Sequence, residues 1–173
     1  MAAKCNTDSI LLDGMEGSTG AGPHIAAANT GIPGIAAIRE ARRALDDIGK
    51  TGEVTLIYAG GIRDGADMAK ALALGADAVS IGSAALIALG DNDPKWQAEY
   101  KKLGTTAGAY DDWHEGRDPA GITTQDPKLM KRFDPVAGGK RLSNYLKVMT
   151  LEAQTIARAC GKNDLHNLEP EDL

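Results

Sequence analysis

An apolar run that ends in a glycine-rich loop occurs three times in the first half of the chain, and this recurrence restricts the fold more than any other feature. Ser9-Ile10-Leu11-Leu12-Asp13 leads into Gly14 to Pro23. Val54 to Ala59 leads into Gly60-Gly61, and Ala78-Val79-Ser80-Ile81-Gly82 leads into Ser83 to Leu86. Near-continuous apolar runs of about four to eight residues are the pattern of parallel strands covered on both faces. Between the runs the period changes. Ile35, Ile38, Ala41, Leu45 and Ile48 recur at helical spacing among charged residues, which predicts a helix over 35–48. A second helix is predicted to open at Asp64 or Gly65 and to run to Leu74, with Gly75 capping it. Strands that alternate with helices need crossover connections, and these give a parallel sheet of the α/β class.

Beyond Gly90 the texture is different. Residues 91–135 carry Pro94, Pro119, Pro127 and Pro135 among Gly, Thr and Asp. They read as an ordered excursion with short helical pieces, since Trp96, Tyr100, Leu103, Tyr110 and Trp113 give it something to bury. Gly139 to Cys160 reads as a long amphipathic helix ended by Gly161, followed by an acidic tail. The expected organisation is therefore a strand–helix part over 1–90 and, over 91–173, an excursion, long helix and tail packed on it. Three strands cannot close a barrel, and an open parallel sheet leaves an edge exposed. Further strands are expected on the N-terminal side of Ser9, without which the apolar faces of that first strand would be bare.

The net charge of −5 argues against a nucleic-acid partner, which would require a basic surface. No apolar run reaches the roughly 18 residues that span a bilayer, and residues 1–7 lack the apolar stretch of a secretory signal. Cys5 and Cys160 form no CxxC pair and read as small buried or half-buried residues of a protein in a reducing cytoplasm.

All three glycine loops follow a strand's C-terminal end, where parallel α/β folds bind ligands. Phosphate recognition needs backbone N–H groups that can be approached without a Cβ in the way. Gly60, Gly61 and Gly82 meet that need, Ser83 adds a hydroxyl, and the dipole of a helix starting near Asp64 or Ala84 would favour a dianion. Glycines at such junctions also serve as plain turn residues; the repetition in three loops favours the phosphate reading. No histidine pair has metal-site spacing. His24 follows the first glycine loop and faces a bound ligand or serves as a capping or packing residue; His114 reads as structural or exposed, and His166 as a packing residue. Ser18 lacks the elbow of a hydrolase nucleophile, and no residue is assigned a catalytic role.

The runs Gly17-Ser18-Thr19-Gly20-Ala21-Gly22-Pro23, Tyr58-Ala59-Gly60-Gly61-Ile62, Gly82 to Gly90, Pro119 to Pro127 and His166 to Pro170 closely resemble the FMN-binding domain of the glutamate synthase family. The resemblance covers nearly the whole chain. It implies the C-terminal part, about three strands, of a (β/α)8 TIM barrel with a C-terminal helical extension. It implies FMN as cofactor, with Gly60, Gly61, Gly82 and Ser83 at its phosphate and Gly17, Ser18 and Thr19 near the flavin ring and substrate. Asp13 and Glu16 would be the carboxylates nearest that site; turn or capping duty for Asp13 and solvent exposure for Glu16 are the alternatives. The family places three cysteines, ligands of a 3Fe–4S cluster, where this sequence has Ala109, Trp113 and Asp118. Ala and Trp cannot ligate iron and a lone Asp is too hard for a thiolate cluster, so no cluster and no other metal is expected. A flavin site cut off from an external reductant resembles the FMN subunit that forms N-methylglutamate from glutamate and methylamine. Glutamate synthase activity, that transfer, another FMN or phosphate-binding barrel enzyme, and an inert split fragment all stand as functions at this point. The expected partners are the missing N-terminal barrel half and amidotransferase-like subunits.

Overall fold

The computed structural model describes residues 1–17, 25, 29–105 and 116–173. Of these, residues up to 81 together with 148–173 form one compact unit, and residues 82–147 form a second.

The first unit is built on a parallel sheet of β1 (Ser9–Asp13), β2 (Thr55–Ala59) and β3 (Ala78–Ser80), in the order β1-β2-β3. Asp13 stands opposite Ala59, and Ala59 opposite Ser80. The three strands therefore end in one row, and their glycine loops leave from the same edge. The crossovers carry α1 (Gly34–Asp47) and α2 (Gly65–Ala73). Leu56 and Tyr58, two residues apart on β2, point to one face and are buried, with Ile38 and Leu45 of α1 also in the core. Full burial of such an aliphatic side chain is worth on the order of 1.5–3 kcal/mol.

The starts and stops follow local chemistry. Asp64 caps α2 by accepting from the N–H groups of Ala66 and Asp67, each at 3.0 Å. Past its C-terminus the chain turns through Gly75 at φ 112°, a conformation that favours glycine. Gly65 has a packing reason. A Cβ there would lie 2.4 Å from the Met149 carbonyl oxygen and 2.5 Å from the Ala153 nitrogen. The small residues Ala69, Ala73, Ala153 and Ala157 close this contact, with Leu168 buried beside them.

β1 departs from the expected two-sided burial. It is an edge strand whose residues are exposed or half-buried, with Leu11 59% exposed. Two smaller readings are corrected as well. Cys5 is exposed, because it lies in a short N-terminal 3-10 turn (Ala2–Cys5) rather than in the core. His166 is exposed rather than packed, and its Nε2 lies 3.0 Å from the Asp77 carbonyl oxygen.

The second unit contains α3 (Ser83–Leu89), a 3-10 turn (Pro94–Trp96), α4 (Gln97–Lys102) and α5 (Pro127–Met130). The long helix α6 (Pro135–Ala159) starts in this unit and ends in the first. It begins four residues before the expected Gly139. Asp134 accepts from the N–H groups of Val136 and Ala137 at 2.9 and 3.1 Å, and Pro135 sits at the first helical position, where its missing donor costs nothing. Among the described residues no helix is long and apolar enough to cross a membrane.

Candidate functional site

The C-terminal edge of the sheet in the first unit is assembled from backbone contacts between glycines. Gly14 donates to the Ala59 carbonyl at 3.3 Å, Met15 to that of Ile32 at 3.1 Å, and Gly17 closes a turn onto Gly14 at 2.9 Å. This turn lies against the loop after β2. A Cβ on Gly17 would fall 1.8 Å from an Asp13 carboxylate oxygen and 3.1 Å from the Gly60 Cα. Gly60 and Gly61 adopt φ 112° and 70°, in the left-handed region. A Cβ on Gly60 would also meet the Gly17 nitrogen at 2.9 Å. The glycine at 60 is thus required by the neighbouring turn, whatever the loop binds. The structure brings Asp13, Glu16, Gly17, Gly60 and Gly61 together.

Glu16 is exposed, yet it is not a bystander. Its carboxylate accepts from the Gly34 N–H at 2.9 Å, across 18 residues of chain. Gly34 opens α1, whose first turn holds no acidic residue and whose N-cap, Pro33, has no side-chain cap. A carboxylate at a helix N-terminus is favoured by the unpaired donors and the dipole there. Tyr58 lies beside this contact: a Cβ on Gly34 would sit 2.5 Å from its hydroxyl oxygen. Burial first, then the carboxylates of Glu16, Asp13 and Asp67, push the Tyr58 phenol above its ordinary pKa.

One expectation is overturned here. The helix opening at Asp64 was expected to offer its N-terminus to a dianion, but its donors are already taken. Gly65 donates to Glu152 at 2.9 Å, and Ala66 and Asp67 donate to Asp64. Two carboxylates at that end would repel a phosphate. In the second unit, Gly82 is the N-cap of α3 without a side-chain cap, and Ser83 is the first helical residue. A Cβ on Gly82 would meet nothing within 4 Å among the described residues, so the backbone there is open to a close approach.

Sequence reasoning missed Arg63. Two residues past Gly61, its guanidinium is held by Asp67, Nε to Oδ2 at 3.0 Å, and its own N–H bonds the same oxygen at 3.1 Å. That side-chain bond first, then the Asp67 charge, raises its pKa, and the side chain is 78% exposed. A fixed exposed cation beside a glycine pair suits an anionic ligand; its signal was the Arg directly after Gly60-Gly61-Ile62.

Ser18, Thr19, His24, Ala109, Trp113 and His114 lie outside the described residues. Asp118 does not. It is fully buried, and four donors converge on it: the Tyr100 hydroxyl at 2.8 Å and the Ala120 N–H at 3.0 Å on one oxygen, and the N–H groups of Ile122 and Thr123, both at 2.7 Å, on the other. Tyr100 also contacts the buried Asp91. Burial alone would raise the Asp118 pKa. The Thr123 N–H, the Tyr100 hydroxyl and the N–H groups of Ala120 and Ile122 outweigh it and hold the carboxyl below its ordinary value. Tyr100 is pushed far up by burial and by its two carboxylate neighbours. Among the described residues no group of three or more His, Cys, Asp or Glu is placed to hold a metal.

Comparison with known proteins places these features. The model of a conserved region in glutamate synthase matches residues 1–95 and 108–163. The chain is 69% identical over 173 residues to a glutamate synthase large subunit-like protein of Rhizobium meliloti, of which it covers 39%. It is 37% identical over 166 residues to the archaeal glutamate synthase (NADPH) of Methanocaldococcus jannaschii, with 96% of this chain and 29% of that protein aligned. The chain thus spans well under half the length of these relatives. A mutant flavocytochrome b2 solved with pyruvate bound superposes with a TM-score of 0.57 at 17% identity, covering 98% of this chain and 30% of the other. That likeness concerns the fold, and it fits an α/β chain with a three-stranded parallel sheet that is part of a barrel.

Proposed function

This chain belongs to the glutamate synthase family, and from that premise we propose that it is the FMN-binding part of a flavoenzyme of glutamate metabolism. The observation that carries the reading is the row Asp13–Ala59–Ser80, which aligns three strand ends and sends their glycine loops out from one edge. The residues present fit the cofactor. Gly82 exposes backbone that no described residue covers, and Arg63 supplies a countercharge. On the family resemblance we assign the FMN phosphate to Gly60, Gly61, Gly82 and Ser83, and the flavin and substrate side to Gly17, Ser18 and Thr19; in the first unit Arg63 stands beside Gly60 and Gly61 as an added cation. Asp13 is the nearest carboxylate whose side chain approaches Gly17. When bound, FMN would supply the redox chemistry, while the protein binds, orients and excludes water.

The reaction we favour is the amine exchange in which methylamine replaces the amino group of glutamate, giving N-methylglutamate and releasing ammonia with no net redox change, in place of a reductase-driven glutamate synthase. Its support is the donor set at Asp118. All four of its bonds come from the protein's own N–H and O–H groups, so neither oxygen is directed to an iron, and Ala109 and Trp113 cannot ligate one. Without a 3Fe–4S cluster there is no relay for electrons from a reductase. The test is turnover of glutamate with methylamine in the absence of reductant. Activity only with 2-oxoglutarate and a reductase would select glutamate synthase instead.

The exposed Leu11 on β1 and the 39% and 29% coverage of the relatives support a partner that supplies further barrel strands; amidotransferase-like subunits and a cytoplasmic location are carried by the family resemblance alone. The same observations support a second reading, in which these residues are inert until joined to that half.

A further inference from the structure

Glu16 stands between two parts of the candidate site. Its stem lies over the glycine pair, since a Cβ on Gly61 would sit 3.3 Å from the Glu16 Cβ and 3.7 Å from its Cγ. Its head accepts from the Gly34 N–H at 2.9 Å, at the start of α1. Beneath it the backbones of Gly14 and Gly34 touch. A Cβ on Gly14 would fall 2.3 Å from the Gly34 Cα and 2.9 Å from the Glu16 carboxylate, and one on Gly34 would fall 2.5 Å from the Tyr58 hydroxyl. After burial, the Glu16 charge is the strongest influence on the buried Tyr58 phenol.

We infer that Glu16 is a positioning residue: a strap that fixes the gap between the turn 14–17 and the Gly60–Gly61 pair, and so sets how closely a flavin phosphate can approach. The inference rests on the FMN reading above. Loss of the strap frees the turn 14–17, which otherwise depends on the single backbone bonds of Gly14, Met15 and Gly17. The amide of glutamine can still accept from Gly34, whereas alanine cannot.

The test compares Glu16→Ala and Glu16→Gln in the 173-residue chain co-expressed with a polypeptide that supplies the preceding barrel strands, by two readouts. One is hydrogen exchange at the Gly34 amide without flavin; the other is FMN affinity from quenching of flavin fluorescence. The expected result is loss of Gly34 protection and at least tenfold weaker FMN binding in Glu16→Ala, with Glu16→Gln within about threefold of the parent. Unchanged Gly34 exchange in Glu16→Ala overturns the strap. Lost protection with unchanged FMN affinity overturns the positioning role and leaves the FMN reading standing. A parent complex with an intact, protected Gly34 amide that binds no FMN overturns the FMN reading, and the positioning role with it.

Discussion

Replacing Asp118 by Asn tests how far one buried carboxylate holds the second unit together. The two side chains have the same shape, so the change removes charge and one acceptor without opening a cavity. Each Asp118 oxygen now receives two donors: Tyr100 and Ala120 on one, Ile122 and Thr123 on the other. Asparagine offers one oxygen and one NH2; with the NH2 towards Tyr100 and Ala120, the Tyr100 hydroxyl can donate to Asp91 and accept from the amide, so the Ala120 N–H is the donor left without an acceptor. A buried donor left unsatisfied costs roughly 1–3 kcal/mol, and that is the expected loss. Against a typical total of about 5–15 kcal/mol, this is a large share of the stability. The sign with pH follows from the depressed carboxyl. Its folded-state pKa lies below the unfolded value of about 3.9, so its contribution is complete above that value and disappears as the pH falls through the folded pKa. The assay is urea unfolding at pH 7 and at successively lower pH, followed by tryptophan fluorescence. The parent should lose stability on the acid side, and Asp118→Asn should be weaker at pH 7 with a flatter acid limb. A loss below about 1 kcal/mol at pH 7, or an unchanged acid limb, would refute the reasoning.

Three further outcomes follow from the packing. Gly65→Ala should destabilise the chain by about 1–3 kcal/mol in urea unfolding, at the upper end, because the new methyl meets the backbone of Met149 and Ala153 and neither can turn aside. Gly82→Val should cost about 1 kcal/mol of stability as a poorer N-cap of α3, with no clash at its Cβ among the described residues, while weakening FMN binding measured by fluorescence titration; equal binding would remove Gly82 from the site. Leu11→Lys should leave the stability of the chain within about 0.5 kcal/mol, as an exposed position does, yet abolish co-purification with a polypeptide carrying the earlier strands.

Much of the first unit was legible because its signals are local. An apolar run such as Ser9–Asp13 gave β1 its bounds, and an Asp beside a Gly marked the start of α2. Partners far along the chain were illegible. Nothing near Glu16 in sequence shows that its carboxylate meets Gly34, and nothing near Asp118 shows Tyr100 arriving from 18 residues away. The closed N-terminus of α2 was missed for the same reason, because Glu152 reaches Gly65 across 87 residues. Gly138 and Gly139 hid the first turn of α6, since glycine is a poor helix former and their penalty masked the Asp134-Pro135 start. The candidate site shows the same division. Its glycines were read from the strand–loop pattern, while Arg63 was passed over although it follows them directly, because its tether to Asp67 is visible only in the fold.

The most direct test of the central claim is the flavin content of this chain co-expressed with a polypeptide that supplies the preceding barrel strands. FMN is released by denaturation and quantified against protein. The account predicts a yellow complex with about one FMN per chain, reduced in proportion by Gly82→Val. A folded, colourless complex that takes up no FMN when it is added would contradict it.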